Sequence, residues 1–202
     1  MKKSHTYKAI GFDWSGVVFF HTSTYPKAIQ HLFGIPPEEF RPIYYAYNTL
    51  LNVENQDQKE VWKIILSQFN LEDKVDTFLS YLESLPLGNI HLEMIHFIED
   101  LKRQGYKVGL LSNHTLSGAQ QARTYDLDKV FDVSFFSAEI KFMKPQPEAF
   151  LLLADKLGVD IRELIFIDDA SRSLQGAHEV GYTPILYSNM EQLKSELSRL
   201  LQ

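Results

Sequence analysis

The sequence predicts an α/β protein: a parallel sheet with helices on both faces, interrupted after its first strand by a helical insertion. Three observations predict it. Short apolar runs each stop at a polar tip, which is how a strand buried on both faces reads. Helical stripes alternate with those runs over residues 91–202, the rhythm of a parallel sheet. Residues 20–88 break the rhythm, with helical spacing and no convincing strand.

The elements follow in chain order. Lys8-Ala9-Ile10-Gly11-Phe12 ends at Asp13 and is followed by Ser15-Gly16, a buried strand running into a turn. Within residues 20–88, Phe40, Tyr44 and Tyr47 form one helical stripe. Val61, Ile65 and Phe69 with Trp62 and Leu66 form a second, and Val75, Phe78 and Leu82 a third. Asn55-Gln56-Asp57 and Asn70-Leu71-Glu72-Asp73 supply turn and N-cap chemistry between them. The chain rejoins the sheet near Pro86-Leu87-Gly88. Leu92, Ile95, Ile98 and Leu101 then share a stripe that closes on Lys102-Arg103 and a Gly105 C-cap. Val108–Leu111 ends at Ser112-Asn113, Val133–Phe136 at Ser137, and Leu164–Ile167 at Asp168-Asp169; Pro184–Tyr187 is a fifth strand candidate. Pro147–Leu157, Ser171–Val180 and Met190–Leu201 have helical length and spacing. The division expected is therefore residues 1–19 and 89–202 for the sheet unit and 20–88 for the helical insertion.

Composition narrows the chemistry. The 202 residues carry 20 Lys+Arg against 26 Asp+Glu, a net charge of −6, so there is no basic footprint for a nucleic-acid backbone. With no cysteine, a disulfide framework, a thiol nucleophile and a thiolate metal site are excluded. No long apolar run follows Met1-Lys2-Lys3-Ser4-His5, and no stretch approaches a membrane span. The expectation is a soluble cytoplasmic protein without membrane or nucleic-acid partners, a monomer or homodimer.

In an open parallel sheet, ligands sit outside the carboxyl ends of the strands, where strand order reverses. If the first strand is central, Asp13, Ser112 and Asp168-Asp169 meet there. Three carboxylates, a hydroxyl and the nearby Lys144 are costly to crowd together unless a cation and an anion satisfy them. A divalent metal on carboxylate oxygens, facing a phosphate held by Ser112 and Lys144, resolves that conflict.

Four segments then carry a resemblance. Phe12-Asp13-Trp14-Ser15-Gly16-Val17, Leu111-Ser112-Asn113, Met143-Lys144-Pro145-Gln146-Pro147-Glu148-Ala149-Phe150, and Phe166-Ile167-Asp168-Asp169 with Gly176-Ala177 resemble, in order and spacing, the four motifs of the haloacid dehalogenase-like (HAD) hydrolase superfamily. The resemblance spans nearly the whole chain. It implies a Rossmann-like core with a helical cap at residues 20–88, of the kind found in sugar-phosphate phosphatases of the superfamily. It implies Asp13 as the nucleophile that forms an aspartyl-phosphate. Asp13, the backbone carbonyl of Ser15 and Asp169 would hold Mg²⁺, with Asp168 as a supporting ligand. Ser112 and the Asn113 backbone would bind phosphoryl oxygens, and Lys144 would neutralise charge on nucleophile and phosphoryl group.

The chain departs from the pattern at Ser15, where phosphatases of the superfamily usually carry a second Asp as general acid and base. Such assistance is worth about 10² to 10⁴ in rate, roughly 3 to 5 kcal/mol. The expected substrate is accordingly a small phosphorylated metabolite whose leaving group departs easily, such as a sugar 1-phosphate or an acyl phosphate. His21 and His114, following the first and second motifs, are candidates to replace the acid. Tyr44, Tyr45 and Tyr47 are candidates for substrate contact. Lys141 stands where relatives often have Gly, with no role assigned. The alternatives are a metal-independent 2-haloacid dehalogenase, which also lacks the second Asp, and a non-catalytic phosphate-binding or interaction module.

Overall fold

A computed structural model describes residues 7–201, without the side chain of Asp128; the leader reading at residues 1–5, and residues 1–6 and 202 of the expected sheet unit, lie outside the described residues. The strands are β1 (Ala9–Phe12), β2 (Phe19–Phe20), β3 (Asn89–Ile90), β4 (Lys107–Ser112), β5 (Val133–Phe136), β6 (Leu164–Asp168) and β7 (Thr183–Leu186). Five of them form one parallel sheet in the order β5-β4-β1-β6-β7. The first strand is thus central, and the chain fills one side before crossing to the other, which puts the reversal of strand order beside β1.

The period-2 pattern sorts side chains to two faces. Ile10, Phe12, Val108, Leu110, Ile165 and Ile167 point to one buried cluster; Ala9, Leu111, Leu164 and Phe166 point to another. Between the strands run α1 (Tyr25–Phe33), α2 (Pro37–Asn52), α3 (Gln58–Ser67), α4 (Val75–Ser84), α5 (Leu92–Arg103), α6 (Leu116–Arg123), α7 (Leu127–Val130), α8 (Ser137–Ile140), α9 (Pro147–Leu157), α10 (Ala177–Val180) and α11 (Met190–Leu200). Residues of α5, α6, α7 and α11 cover the first face, and those of α9 and α10 the second. Glycine sets how closely α9 approaches. A Cβ at Gly109 would lie 2.8 Å from a Leu153 methyl, and one at Gly11 2.5 Å from the Phe166 ring. That proximity lets Phe150, Phe166 and Tyr182 form an aromatic group with centroids 4.3 to 6.3 Å apart.

Helices α1 to α4 pack around a cluster of their own, with Phe40, Trp62, Ile65, Leu66 and Phe78 fully buried. Asp57 caps α3 by accepting from the Glu60 N–H at 3.0 Å. Helix α1 is an addition to the three predicted stripes; it opens at Tyr25-Pro26 without a side-chain cap. The chain enters and leaves this helical part through β2 and β3, an antiparallel pair that matches Phe19 with Ile90 and Phe20 with Asn89. One prediction is corrected. The expected helix over Ser171–Val180 is a 3₁₀ turn at Ser171–Leu174 followed by the single-turn α10, because Gly176 takes a left-handed φ of 75° between them. Among the described residues, no helix is long and apolar enough to cross a membrane.

Candidate active site

The carboxyl ends of β1, β4 and β6 bring Asp13, Ser112, Asp168 and Asp169 to one cavity of about 370 Å³, with Lys144 in its wall. The helical part closes the opposite side with residues of α1 and α2. At the centre is one ammonium between two carboxylates. Lys144 Nζ donates to Asp13 Oδ1 at 2.6 Å and to Asp168 Oδ2 at 2.5 Å. Lys144 is 2% exposed, Asp13 7% and Asp168 0%, so water screens these charges little.

Each group is held by backbone geometry. The Asp13 N–H donates to the Ile167 carbonyl at 2.8 Å, continuing the β1–β6 pairing one residue past the strand. Asp168 closes β6, and its second oxygen accepts from the Ala170 N–H at 2.8 Å. Asp169, next along, is exposed and lines the same cavity, with its carboxylate against Gly16. The loop carrying Lys144 is fixed by Asn113, whose side chain accepts from the Lys144 N–H and donates to the Lys144 carbonyl, both at 2.8 Å. The sequence reading gave Asn113 a backbone role only; its side chain clamps the lysine loop, a contact 31 positions distant that no local pattern reveals. Ser112 is buried at the end of β4 and lines the cavity.

Three carboxylates against one ammonium leave an excess of two negative charges. Atoms of Asp13, Asp168 and Asp169 lie within 4.8 Å of one another. Burial pushes the Asp13 carboxyl up to about 7; Lys144 opposes this, while Asp168 and Asp169 reinforce it. Burial and Asp168 also push Asp169 up. Each oxygen of Asp168 accepts one hydrogen bond, from Lys144 and from the Ala170 N–H, and each of the three carboxylates keeps a lone pair to offer a cation. An all-oxygen donor set with excess negative charge fits a small, hard divalent cation.

The residues around the first motif set Ser15 in a tight turn beside a histidine. Gly16 has a φ of 85°, and its N–H donates to Phe19 O at 2.8 Å, which folds residues 14–19 into a compact turn. Ser15 Oγ lies 3.0 Å from His21 Nε2. His21 and His114 both line the cavity, with ring centroids 6.3 Å apart. Burial lowers both imidazoles, His114 to about 4. The tyrosines divide. Tyr44 packs against Tyr25, Phe40 and Trp62 in the helical cluster while reaching the cavity; Tyr45 lines the cavity; Tyr47 packs on the helical cluster. Lys141 adopts a left-handed φ of 66°, and its Nζ donates to the Val53 carbonyl at 3.0 Å, tying the lysine loop to the end of α2.

The haloacid dehalogenase-like hydrolase family model matches residues 7–181. The chain belongs to this family. Within the HAD-like hydrolases, it is 26% identical over 199 residues to phosphatase MT3486 of Mycobacterium tuberculosis, covering 95% of this chain and 92% of that protein. It is 28% identical over 130 residues to (S)-2-haloacid dehalogenase 4A of Burkholderia cepacia, covering 62% of this chain and 55% of that protein. A HAD family enzyme of Bacteroides thetaiotaomicron, solved as a magnesium complex, shares the fold with a TM-score of 0.64 at 22% identity, over 91% of this chain and 94% of that one.

Proposed function

We propose that this HAD-like hydrolase is a Mg²⁺-dependent phosphatase that acts on a small phosphorylated metabolite, sugar phosphates included, through an aspartyl-phosphate on Asp13. The observation that carries the reading is the Asp13–Lys144–Asp168 bridge beside Asp169: a buried carboxylate nucleophile with its counter-charge in place and an uncompensated negative excess. The phosphatase relative that spans almost the whole chain supports it.

In this reading Asp13 attacks phosphorus, the ester bond breaks, and the leaving oxygen takes the bonding pair. Water then attacks the aspartyl-phosphate at phosphorus and releases Asp13 and inorganic phosphate. Ser112 and the Asn113 N–H would hold the phosphoryl oxygens, while Lys144 compensates charge on Asp13 and the transferring group. Asp168 positions Lys144, since its two oxygens accept from the ammonium and from the Ala170 N–H. The cation, on Asp13, Asp169 and the Ser15 carbonyl, would supply the charge neutralisation that lets an anionic phosphate approach an anionic nucleophile. The helical part would act as a cap that excludes water during the first displacement. Ser15 cannot protonate the leaving oxygen, which favours leaving groups that depart as weak bases.

A panel of phosphorylated metabolites assayed with Mg²⁺ and with EDTA, beside a 2-chloropropionate control, tests the reading. Phosphate release that needs Mg²⁺ and disappears in Asp13→Asn is expected. Halide release that survives EDTA would instead establish the second reading, a 2-haloacid dehalogenase. That reading is favoured by the dehalogenase relative and by Ser15 in place of an acid.

A further inference from the structure

The same cavity holds a group that the hydrolytic reaction at phosphorus does not use. Arg172 stands on the 3₁₀ turn after β6, half-buried, with its guanidinium carbon 3.2 Å from the centroid of the Tyr45 ring on α2. Both residues line the cavity. Arg123 pairs with Glu139 and Arg162 with Asp160, but among the described residues no carboxylate lies within ion-pair reach of Arg172, and its N–H donors have no acceptor. Stacking fixes the plane of the guanidinium and leaves its edge, where those donors are, free for a ligand.

A second observation points to the same place. Asn48, on α2 one helical turn beyond Tyr45, is only 5% exposed and lines the cavity. Its side-chain amide has no hydrogen-bond partner among the described residues. With no protein partner, the amide is free to hydrogen-bond a ligand in the cavity. A planar cationic fork and an amide donor lining one cavity form a set that recognises an oxyanion, and Arg binds carboxylate and phosphate oxygens two at a time. The phosphoryl group to be transferred has its own partners in Ser112, Asn113 and Lys144.

We propose that Arg172 and Asn48 form a subsite for a second oxyanion carried on the leaving-group portion of the substrate, a carboxylate or a second phosphate. The proposal rests on the phosphatase reading for the name of the substrate class, while the subsite itself is a matter of binding. Selectivity follows from the chemistry. A substrate that lacks the second anion leaves a cation and an amide without partners, and a site built this way discriminates more strongly than an apolar pocket.

Two matched pairs of probes separate the sources of the anion: 3-phosphoglycerate against glycerol 3-phosphate, and fructose 1,6-bisphosphate against fructose 1-phosphate. The expected result is a preference of about tenfold or more for the doubly anionic member of at least one pair, expressed in KM. In Arg172→Met that preference should fall to about twofold or less, and Arg172→Lys should retain part of it. Calorimetric titration of the same probes into Asp13→Asn with Mg²⁺ gives the preference as a ratio of Kd values without turnover. Wild-type protein that hydrolyses none of the probes counts against the phosphatase reading, and the Kd ratio then decides the subsite alone. Equal affinity for the two members of both pairs overturns the proposal, as does a ratio that Arg172→Met leaves unchanged.

Discussion

Replacing Lys144 with Met probes the centre of the site most directly, because it removes one charge while keeping an unbranched side chain of similar length. The ammonium is 2% exposed and bridges Asp13 and Asp168 at 2.6 and 2.5 Å. Removing one partner of a buried ion pair costs about 3 to 5 kcal/mol, since the charge left behind has lost both water and counter-ion. Here two carboxylates are left, which places Lys144→Met at the upper end of that range for metal-free protein at pH 8. The loss should depend on pH. Asp13 in the native chain is already pushed from 3.8 to about 7, so its native state holds a proton that the unfolded chain releases near pH 4. A raised carboxyl pKa favours folding at low pH and loses that contribution as pH rises through the native value, from about 4 to about 7. Without Lys144, the influence that lowers Asp13 is gone, so its native pKa rises further and the loss extends to higher pH. Urea unfolding at pH 5 and pH 8 in EDTA measures the effect. The variant should lie within about 2 kcal/mol of wild type at pH 5 and at least twice as far below it at pH 8, with turnover reduced by about 10² or more. An equal penalty at both pH values would refute the charge argument.

Other perturbations test neighbouring parts of the site. Gly16→Ala drives a Cβ into the Asp169 carboxylate at a φ of 85°; the metal-free protein should lose a few degrees of Tm to backbone strain, and Mg²⁺ stabilisation, read as the further rise in Tm on titration, should weaken by at least tenfold in apparent Kd. Ser15→Asp should raise kcat/KM on alkyl phosphates more than on sugar 1-phosphates or acyl phosphates, and an equal gain on all would contradict the leaving-group reasoning. His114, lowered by burial and by His21 to about 4, keeps its neutral form in the fold while the unfolded chain takes a proton near 6.5. Its contribution is therefore complete above pH 6.5 and declines as pH falls toward 4, by at most about 3 kcal/mol; His114→Gln should flatten that acid limb in urea unfolding.

The strands were legible in the sequence because each is an apolar run buried on both faces and ended by a polar residue, and no competing helical period fits Val108–Leu111 or Leu164–Ile167. Less was legible where the signal is weak for a physical reason. Helix α6 buries only Ala119 and Ala122, so its stripe barely registers as apolar, and its cap is Thr115, three residues after Ser112. Helix α1 starts at Tyr25-Pro26 with no capping side chain. β2 and β3 are two residues each, below the length at which alternation can be read. The meeting of Asp13, Ser112, Lys144, Asp168 and Asp169 followed from strand ends and sheet order. The unlike burial of Asp168 and Asp169 follows from where β6 ends: Asp168 is its last, buried residue and Asp169 the first residue of the exposed bend beyond it. Asn113 on the Lys144 backbone, His21 on Ser15 and Tyr45 under Arg172 join residues from separate elements, so no spacing announces them.

The β2–β3 ribbon also bears on how the chain reaches its native state. Ala9 pairs with Lys107 almost half the chain later, a contact order that ordinarily makes sheet nucleation slow. The intervening helices bury a cluster of their own, and once they condense, Phe19–Phe20 and Asn89–Ile90 hold the two ends of the excursion side by side. The search by which β4 finds β1 then spans only the short segments on either side of the ribbon, and loop-closure entropy falls with the logarithm of that shorter length. The ribbon is in this sense a clasp that turns a distant pairing into a nearly local one, so substitutions that open it should slow refolding more than they speed unfolding.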